Sequence, residues 1–414
     1  MGEAPVSAAT GPLEAQRGWQ FAVASGILGW ILDAYYFFIL VFLVDVLAVN
    51  FRVSKAAIVW SITVTLATRP LGAVILGSLG DRYGRRRPLI ACVLFFSLVS
   101  ALTPFAPNYL AFLILRALYG IGMGGYWGIG ASLVIESSPA RWRGLFSGVL
   151  QAGYPLGYLM AALAIPLIDA HFNWNWLFLD GLFIAALIAV LTWIAPESHA
   201  WEKLGPVNAS EMLRSLRRNP PKAARLAVLF VYLVVLMTVV TCLSHGTQDL
   251  YPDFLKTIHK FSSALVSKLA VFYNVGAVIG SLIIGHLSEK IGRRYSILIA
   301  LVLCLVSMPQ WAFGASLFAL AAGAFLMQFG VQGVFGVIPA HLNELSPPSV
   351  RSLFPGVVYQ LGVLLSAPAV GVEYVLRNRI GYAWALTAFE LCVIAAIFLL
   401  CLFGPERRGR DLAS

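Results

Sequence analysis

The sequence predicts an all-α membrane protein: twelve transmembrane helices in two six-helix bundles, related by a parallel pseudo-two-fold repeat. Three observations predict it. The chain is too apolar to be soluble, it carries twelve runs long enough to cross a bilayer, and it matches itself when shifted by about half its length. Of its 414 residues 59% are hydrophobic and 12% charged, and the mean hydropathy is +0.82. A soluble domain carries about 25% charged residues, so too few charges are present here to cover a water-facing surface. Intrinsic disorder, a secreted disulfide scaffold and a soluble enzyme are excluded on that ground.

The elements follow in order. Residues 1–18 are polar and read as an N-terminal tail; with a long apolar run behind them they do not have the form of a cleavable signal. A spanning helix needs about 20 apolar residues, and such runs centre on 20–45, 56–79, 88–106, 109–134, 144–168, 175–195, 225–250, 263–287, 295–314, 316–342, 353–374 and 382–403. The polar interval 196–224, with the Pro220-Pro221 pair, reads as a linker between a bundle over 19–195 and a second over 225–403, and 404–414 as a C-terminal tail. Most Lys and Arg residues fall on one side if both termini are cytoplasmic, which sets the expected topology. The net charge of +10 is thereby explained without nucleic acid. Cys92, Cys242, Cys304, Cys392 and Cys401 lie in apolar stretches without CxxC spacing and read as packing residues.

The repeat is the strongest organising signal. At a shift of 208 residues Gly72 falls on Gly280, Asp81 on Glu289, Gly84 on Gly292 and Arg85 on Arg293. Gly122, Gly125 and Gly128 fall on Gly330, Gly333 and Gly336, and Glu136, Pro139 and Arg143 on Glu344, Pro347 and Arg351. Six spans separate the copies, so the halves share orientation about an axis along the membrane normal. Between spans 2 and 3 stands Gly77-Ser-Leu-Gly-Asp81-Arg82-Tyr-Gly84-Arg85-Arg86-Arg87. The glycines permit close helix approach and a tight turn, and the acid can pair with cations and helix ends across the two halves. Asp81, Arg82, Arg85, Glu136 and Arg143, with Glu289, Arg293, Glu344 and Arg351, are therefore the expected gating residues. The duplicated loop resembles the signature of the major facilitator superfamily, which implies alternating access by rocking of the two bundles.

Charged groups inside the spans carry the functional reading, since a charge near the bilayer centre costs ~3 kcal/mol by insertion scales and faces a cavity or a partner. They are Asp33, Arg69, Arg116, His245 and Asp249; Glu390 in span 12 reads as a helix–helix or snorkelling contact. His245 and Asp249, at i and i+4, share a helix face and can hold and release a proton; the alternative for His245 is a hydrogen-bonded packing histidine. Arg69 can clamp a carboxylate through two parallel hydrogen bonds; the alternative is a structural partnership with Asp33. Tyr154 offers a neutral hydrogen bond, and the Gly153-Tyr-Pro155-Leu-Gly157 stretch around it reads as a packing kink.

The segment Ser244-His245-Gly-Thr247-Gln248-Asp249 resembles the span-7 signature of the sialate:proton symporter family, in its lactate/pyruvate permease branch. Thr241 and Asp253 replace that signature's Asn and last Thr. Arg69-Pro-Leu-Gly72 and Asp33-Ala-Tyr-Tyr36 look like the same family. The resemblance implies that spans 1, 4 and 7 line the cavity, that Arg116 takes part in proton coupling and that a span-11 glutamine, here Gln360, selects substrate.

The expectation is a plasma-membrane (in a bacterium, inner-membrane) transporter that moves a small, lactate- or pyruvate-like monocarboxylate with a proton. Arg69, Gln360, Tyr154 and His245 would bind substrate; Asp33, Asp249, His245 and Arg116 would couple the proton. No cofactor or metal is called for, the partners are the carboxylate, the proton and the bilayer, and a monomer suffices. Another organic acid (sialate, an aromatic acid or a dicarboxylate) is the nearest rival, and drug efflux a more distant one. An enzyme has no metal-ligand cluster or nucleotide loop to stand on, and a channel does not account for the duplicated loops.

Overall fold

The computed structural model describes residues 18–169, 173–206, 209–409 and 412. Most of the 1–18 tail and part of 404–414 thus lie outside the described residues. Among the described residues twelve helices are of membrane length: α1 (Trp19–Phe42), α2 (Lys55–Tyr83), α3 (Arg86–Phe105), α4 (Tyr109–Ser137), α5 (Ala140–Ile165) and α6 (Trp176–Ile194), then α7 (Pro220–Thr257), α8 (Ser263–Ile291), α9 (Arg293–Phe313), α10 (Leu317–Leu345), α11 (Leu353–Ile380) and α12 (Tyr382–Phe403).

The two halves repeat each other down to their helix starts. Ser54 accepts a hydrogen bond from the Ala57 N–H at the head of α2, and Ser262 does the same from Leu265 at the head of α8. Asn108 caps α4 through Ala111, and Ser316 caps α10 through Ala319. Each acceptor satisfies a backbone donor that the first helical turn leaves orphaned. The turns out of α2 and α8 run through Gly84 at φ +91° and Gly292 at φ +104°, backbone that a side chain disfavours. Pro220 and Pro221, expected in the linker, instead start α7, with Asn219 accepting from the Lys222 N–H. Proline suits that position because its missing N–H has no helical partner there.

Within each half the helices pack closely. A Cβ on Gly72 would sit 1.9 Å from the Ile121 carbonyl oxygen, and one on Gly280 2.0 Å from that of Phe329. The glycines let α2 lie directly on α4, and α8 on α10, as small residues do where lipid supplies no hydrophobic drive. The halves meet mainly through α2 against α11 and α5 against α8, at the face that carries both chain ends. There Gly148 backs onto the Ser281 carbonyl and Gly128 onto Ser352 and Gly356. This terminal face is closed by backbone lying on backbone.

Candidate functional site

Two constructions stand out, one sealing the terminal face and one inside the bundle. The seal is built twice. Arg85 is buried and holds Glu136 through both carboxylate oxygens at 3.0 and 3.1 Å, with Asp81 at 3.0 Å. Burial pushes the Arg85 guanidinium toward a lower pKa, but the carboxylates of Glu136 and Asp81 outweigh it and hold it above its ordinary value. Asp81 then reaches across the halves: its two oxygens accept from the Ser352 and Leu353 N–H groups at 2.9 and 3.0 Å, capping α11. In the second copy Arg293 holds Glu344 at 2.8 and 2.9 Å and Glu289 at 2.6 Å, and Glu289 accepts from the Gly144 N–H. A carboxylate at a helix N-terminus is favoured by the orphan donors and the dipole together.

Of the other expected gating residues, Arg143 and Arg351 are buried at this face, and Arg351 donates to the Leu412 carbonyl. Arg82 is exposed and lies over the Tyr83 ring, so it takes no part in the seal. Two acids that the sequence reading passed over complete it. Glu197 accepts from the Arg85 and Arg86 N–H groups at 2.8 and 3.3 Å, and Glu406 from those of Arg293 and Arg294 at 3.1 and 2.9 Å. Their Pro-Glu dipeptides were the available signal, but they match at a shift of 209 rather than 208.

Inside, a cavity of about 370 Å³ lies between the halves. Its exposed lining residues, Val41 and Asp249, are at the ends of helices away from the terminal face. The cavity thus reaches toward the opposite face while the terminal face is shut. Arg69, Tyr154, His245 and Asp249 all line it. The rest of the wall is largely aromatic and amide: Trp30, Phe38, Phe335 and Tyr359 with Gln151, Gln248 and Gln332. Trp30 stacks on Tyr154 at 6.0 Å between centroids, and Phe38 meets the same ring edge-on at 5.0 Å.

Arg69 is 95% buried, and its Nε has no hydrogen-bond partner among the described residues. A buried guanidinium holds five donors in a fixed fork and cannot shed its charge, so an unpartnered donor there suits an anion. Across the cavity His245 Nδ1 lies 2.8 Å from Asp249 Oδ2. The carboxylate fixes the ring, and the pair is open to the cavity, with 30% and 41% of the two side chains exposed. Gln248 beside them donates to Gln328 at 2.7 Å, which ties α7 to α10.

Three expected residues stand outside the cavity lining. Gln360 is buried between α11 and α4, its Nε2 donating to the Gly124 carbonyl at 3.3 Å. Asp33 is fully buried behind the wall: Tyr119 Oη donates to its main-chain oxygen at 2.7 Å and to Oδ1 at 3.3 Å, and Oδ2 has no partner. No ion pair joins Asp33 to Arg69 among the described residues: Asp33 Oδ2 and Arg69 Nε are both without a hydrogen-bond partner. Arg116 is enclosed by Phe112, Tyr119 and Phe178 at 5.0 to 5.9 Å and donates to Thr103 Oγ1. Tyr119 thus joins Arg116 to Asp33. The cavity glutamines Gln151 and Gln332 escaped the sequence reading because an amide in a span carries no charge to flag it.

Comparison with known proteins agrees with this architecture. The family described as Major Facilitator Superfamily matches residues 26–248, and the one described as Sugar (and other) transporter matches residues 223–408. A carboxylic acid transporter protein homolog of Saccharomyces cerevisiae is 30% identical, the match covering 94% of this chain and 68% of that protein. A probable 4-methylmuconolactone transporter of Cupriavidus pinatubonensis is 29% identical over 92% of this chain and 89% of its own. The solved structure of the proton:xylose symporter XylE bound to 6-bromo-6-deoxy-D-glucose superposes with a TM-score of 0.78 at 16% identity, covering 96% of this chain and 98% of that one.

Proposed function

The chain belongs to the major facilitator superfamily, and from that premise we propose that it is a proton-coupled symporter of a small monocarboxylate. One observation carries the reading: a buried arginine with an unpartnered donor faces, across a closed-bottomed cavity, a histidine–aspartate pair open to that cavity. The carboxylate docks on Arg69, with Tyr154 supplying a neutral hydrogen bond. The proton loads on His245–Asp249. Asp33 tunes the charge balance at Arg69, and Arg116 acts at a distance by holding Tyr119 against Asp33. With substrate charge and protein charge both neutralised, the barrier to rocking the halves falls. The terminal face is then the cytoplasmic one by the distribution of Lys and Arg, and the membrane is the plasma membrane, or the inner membrane of a bacterium. That two relatives are described as carriers of a carboxylic acid and of a muconolactone supports an organic-acid substrate.

A second reading of the substrate has its own observation. Trp30, Phe38 and Tyr154 make a ring-lined wall near Arg69, which favours a planar, conjugated acid over a lactate-sized one, since stacking on rings is worth about 0.5–1.5 kcal/mol per pair beyond area. Uptake into liposomes of lactate, pyruvate, benzoate and a dicarboxylate, each with and without an inward proton gradient, tests both. Gradient-driven accumulation of a monocarboxylate is the expected result. Accumulation indifferent to the gradient removes the symport, and preference for the dicarboxylate removes the substrate class.

A further inference from the structure

Behind α7, on the side away from the cavity, two acids are buried without partners. Glu373 on α11 and Glu390 on α12 are both fully buried, and none of their four carboxylate oxygens has a hydrogen-bond partner. Among the described residues neither forms an ion pair. The nearest cation in sequence, Arg377, is held elsewhere: it donates to Asp253 at 2.8 Å and lies over the rings of Tyr374 and Tyr382. Glu390 presses on α7 where Gly246 leaves room for it; a Cβ on Gly246 would meet Glu390 Oε1 at 2.0 Å.

Glu373 stands one turn before Arg377 on α11 and Asp249 one turn before Asp253 on α7, and Arg377 meets Asp253 at 2.8 Å, so the two helices bring Glu373 alongside Asp249 of the cavity pair, while Glu390 meets α7 at Gly246, within a turn of the same Asp249. The remaining titratable neighbours are Cys242 on α7 and Cys304 on α9, both acting on or acted on by Glu390. The groups near this series able to carry positive charge are His245, bonded to Asp249, and Arg377, bonded to Asp253. An ionised carboxylate in such a place loses its hydration and gains nothing in return. Two of them side by side add like-charge repulsion.

We propose that Glu373 and Glu390 form an inner proton-binding site of the transport cycle, loaded from the cavity through Asp249. The inference rests on the symport reading above. A proton leaves the His245–Asp249 pair and binds a Glu373 oxygen, and the next binds Glu390. No other bond is made or broken. Rocking of α7 against α11 and α12 changes the surroundings of these two acids, and discharge to the other side follows when water reaches them.

The experiment uses the full chain and two readouts, on the wild type, Glu373→Gln and Glu390→Gln. Glutamine has the shape of the neutral acid, so the fold tolerates it; a thermal melt of each variant checks this. The first readout is the infrared carbonyl band of protonated carboxyls at neutral pH, which is expected to lose intensity in each variant. The second is benzoate and lactate transport in liposomes, as the ratio of proton-gradient-driven accumulation to gradient-free exchange, which is expected to fall tenfold or more. Variants that keep either the wild-type band or the wild-type ratio overturn the proposal. If the wild type itself is indifferent to the gradient, the symport reading fails. If the wild type follows the gradient and both variants accumulate as it does, this inference alone fails.

Discussion

Asp81 caps a helix of the other half: its carboxylate accepts the Leu353 N–H at 3.0 Å, with Ser352 at 2.9 Å on its second oxygen. These bonds exist only while the terminal face is shut, so they weigh one conformation against the other. A hydrogen bond to a charged group contributes about 1.5–3 kcal/mol. Asp81→Ala is therefore expected to move the conformational equilibrium toward opening of that face by about tenfold or more. Distances between spin labels placed on α2 and α11 at the terminal face measure it; an unshifted distribution rejects the latch.

Arg69 separates charge from geometry. Arg69→Lys keeps the cation and loses the two-pronged fork, so half-saturating substrate concentration is expected to rise about tenfold or more, the scale of one charge-assisted hydrogen bond lost. Arg69→Ala removes both and is expected to abolish uptake. Normal transport by Arg69→Ala means that the carboxylate docks elsewhere.

The pair on α7 sets the pH response. If Asp249 and His245 hold the coupling proton, uptake rises as the outer solution is acidified. Asp249→Asn cannot anchor a charged imidazole and is expected to flatten that rise while leaving the protein folded. Initial rates against outer pH, wild type beside variant, decide it; parallel curves exclude the pair.

Gly72 tests the close approach of α2 and α4. An added methyl group would lie 1.9 Å from the Ile121 carbonyl oxygen, which only movement of one backbone can relieve. Gly72→Ala is expected to lose about 1–3 kcal/mol, the usual scale of overpacking, read as a lowered melting temperature in detergent. Gly371→Ala, where no atom lies within 4 Å of the added carbon, is the control and should melt as the wild type does.

How far the fold was legible follows from what each signal depends on. Span length and apolar content survive any packing arrangement, so the twelve helices could be counted from sequence. The repeat placed Asp81 and Glu289, and Arg85 and Arg293, in matching roles because each half solves the same turn with the same residues. It missed Glu197 and Glu406 because one extra residue lies between them and the register. Rotation about a helix axis was the harder problem. Gln360 and Gln332 are both polar residues of second-half spans, yet only Gln332 faces the cavity, and that choice depends on neighbours the chain meets only when folded. Glu373 was passed over because it stands one residue inside the end of the 353–374 run, beside the basic residues Arg377 and Arg379, where an acid reads as solvated at a span end.

The crossed caps have one more consequence. Asp81 finishes a helix that begins in the second half, and Glu289 finishes one that begins in the first. When the seal parts, water can take over every donor the carboxylates release, and the carboxylates are rehydrated in the same movement. Breaking the seal is thus an exchange of solvation partners, whose net cost is about 1.5–3 kcal/mol per charged bond and not the full strength of the bonds. Its ease is set by how readily water enters, so the turnover of this protein should slow as water activity is lowered by an excluded osmolyte.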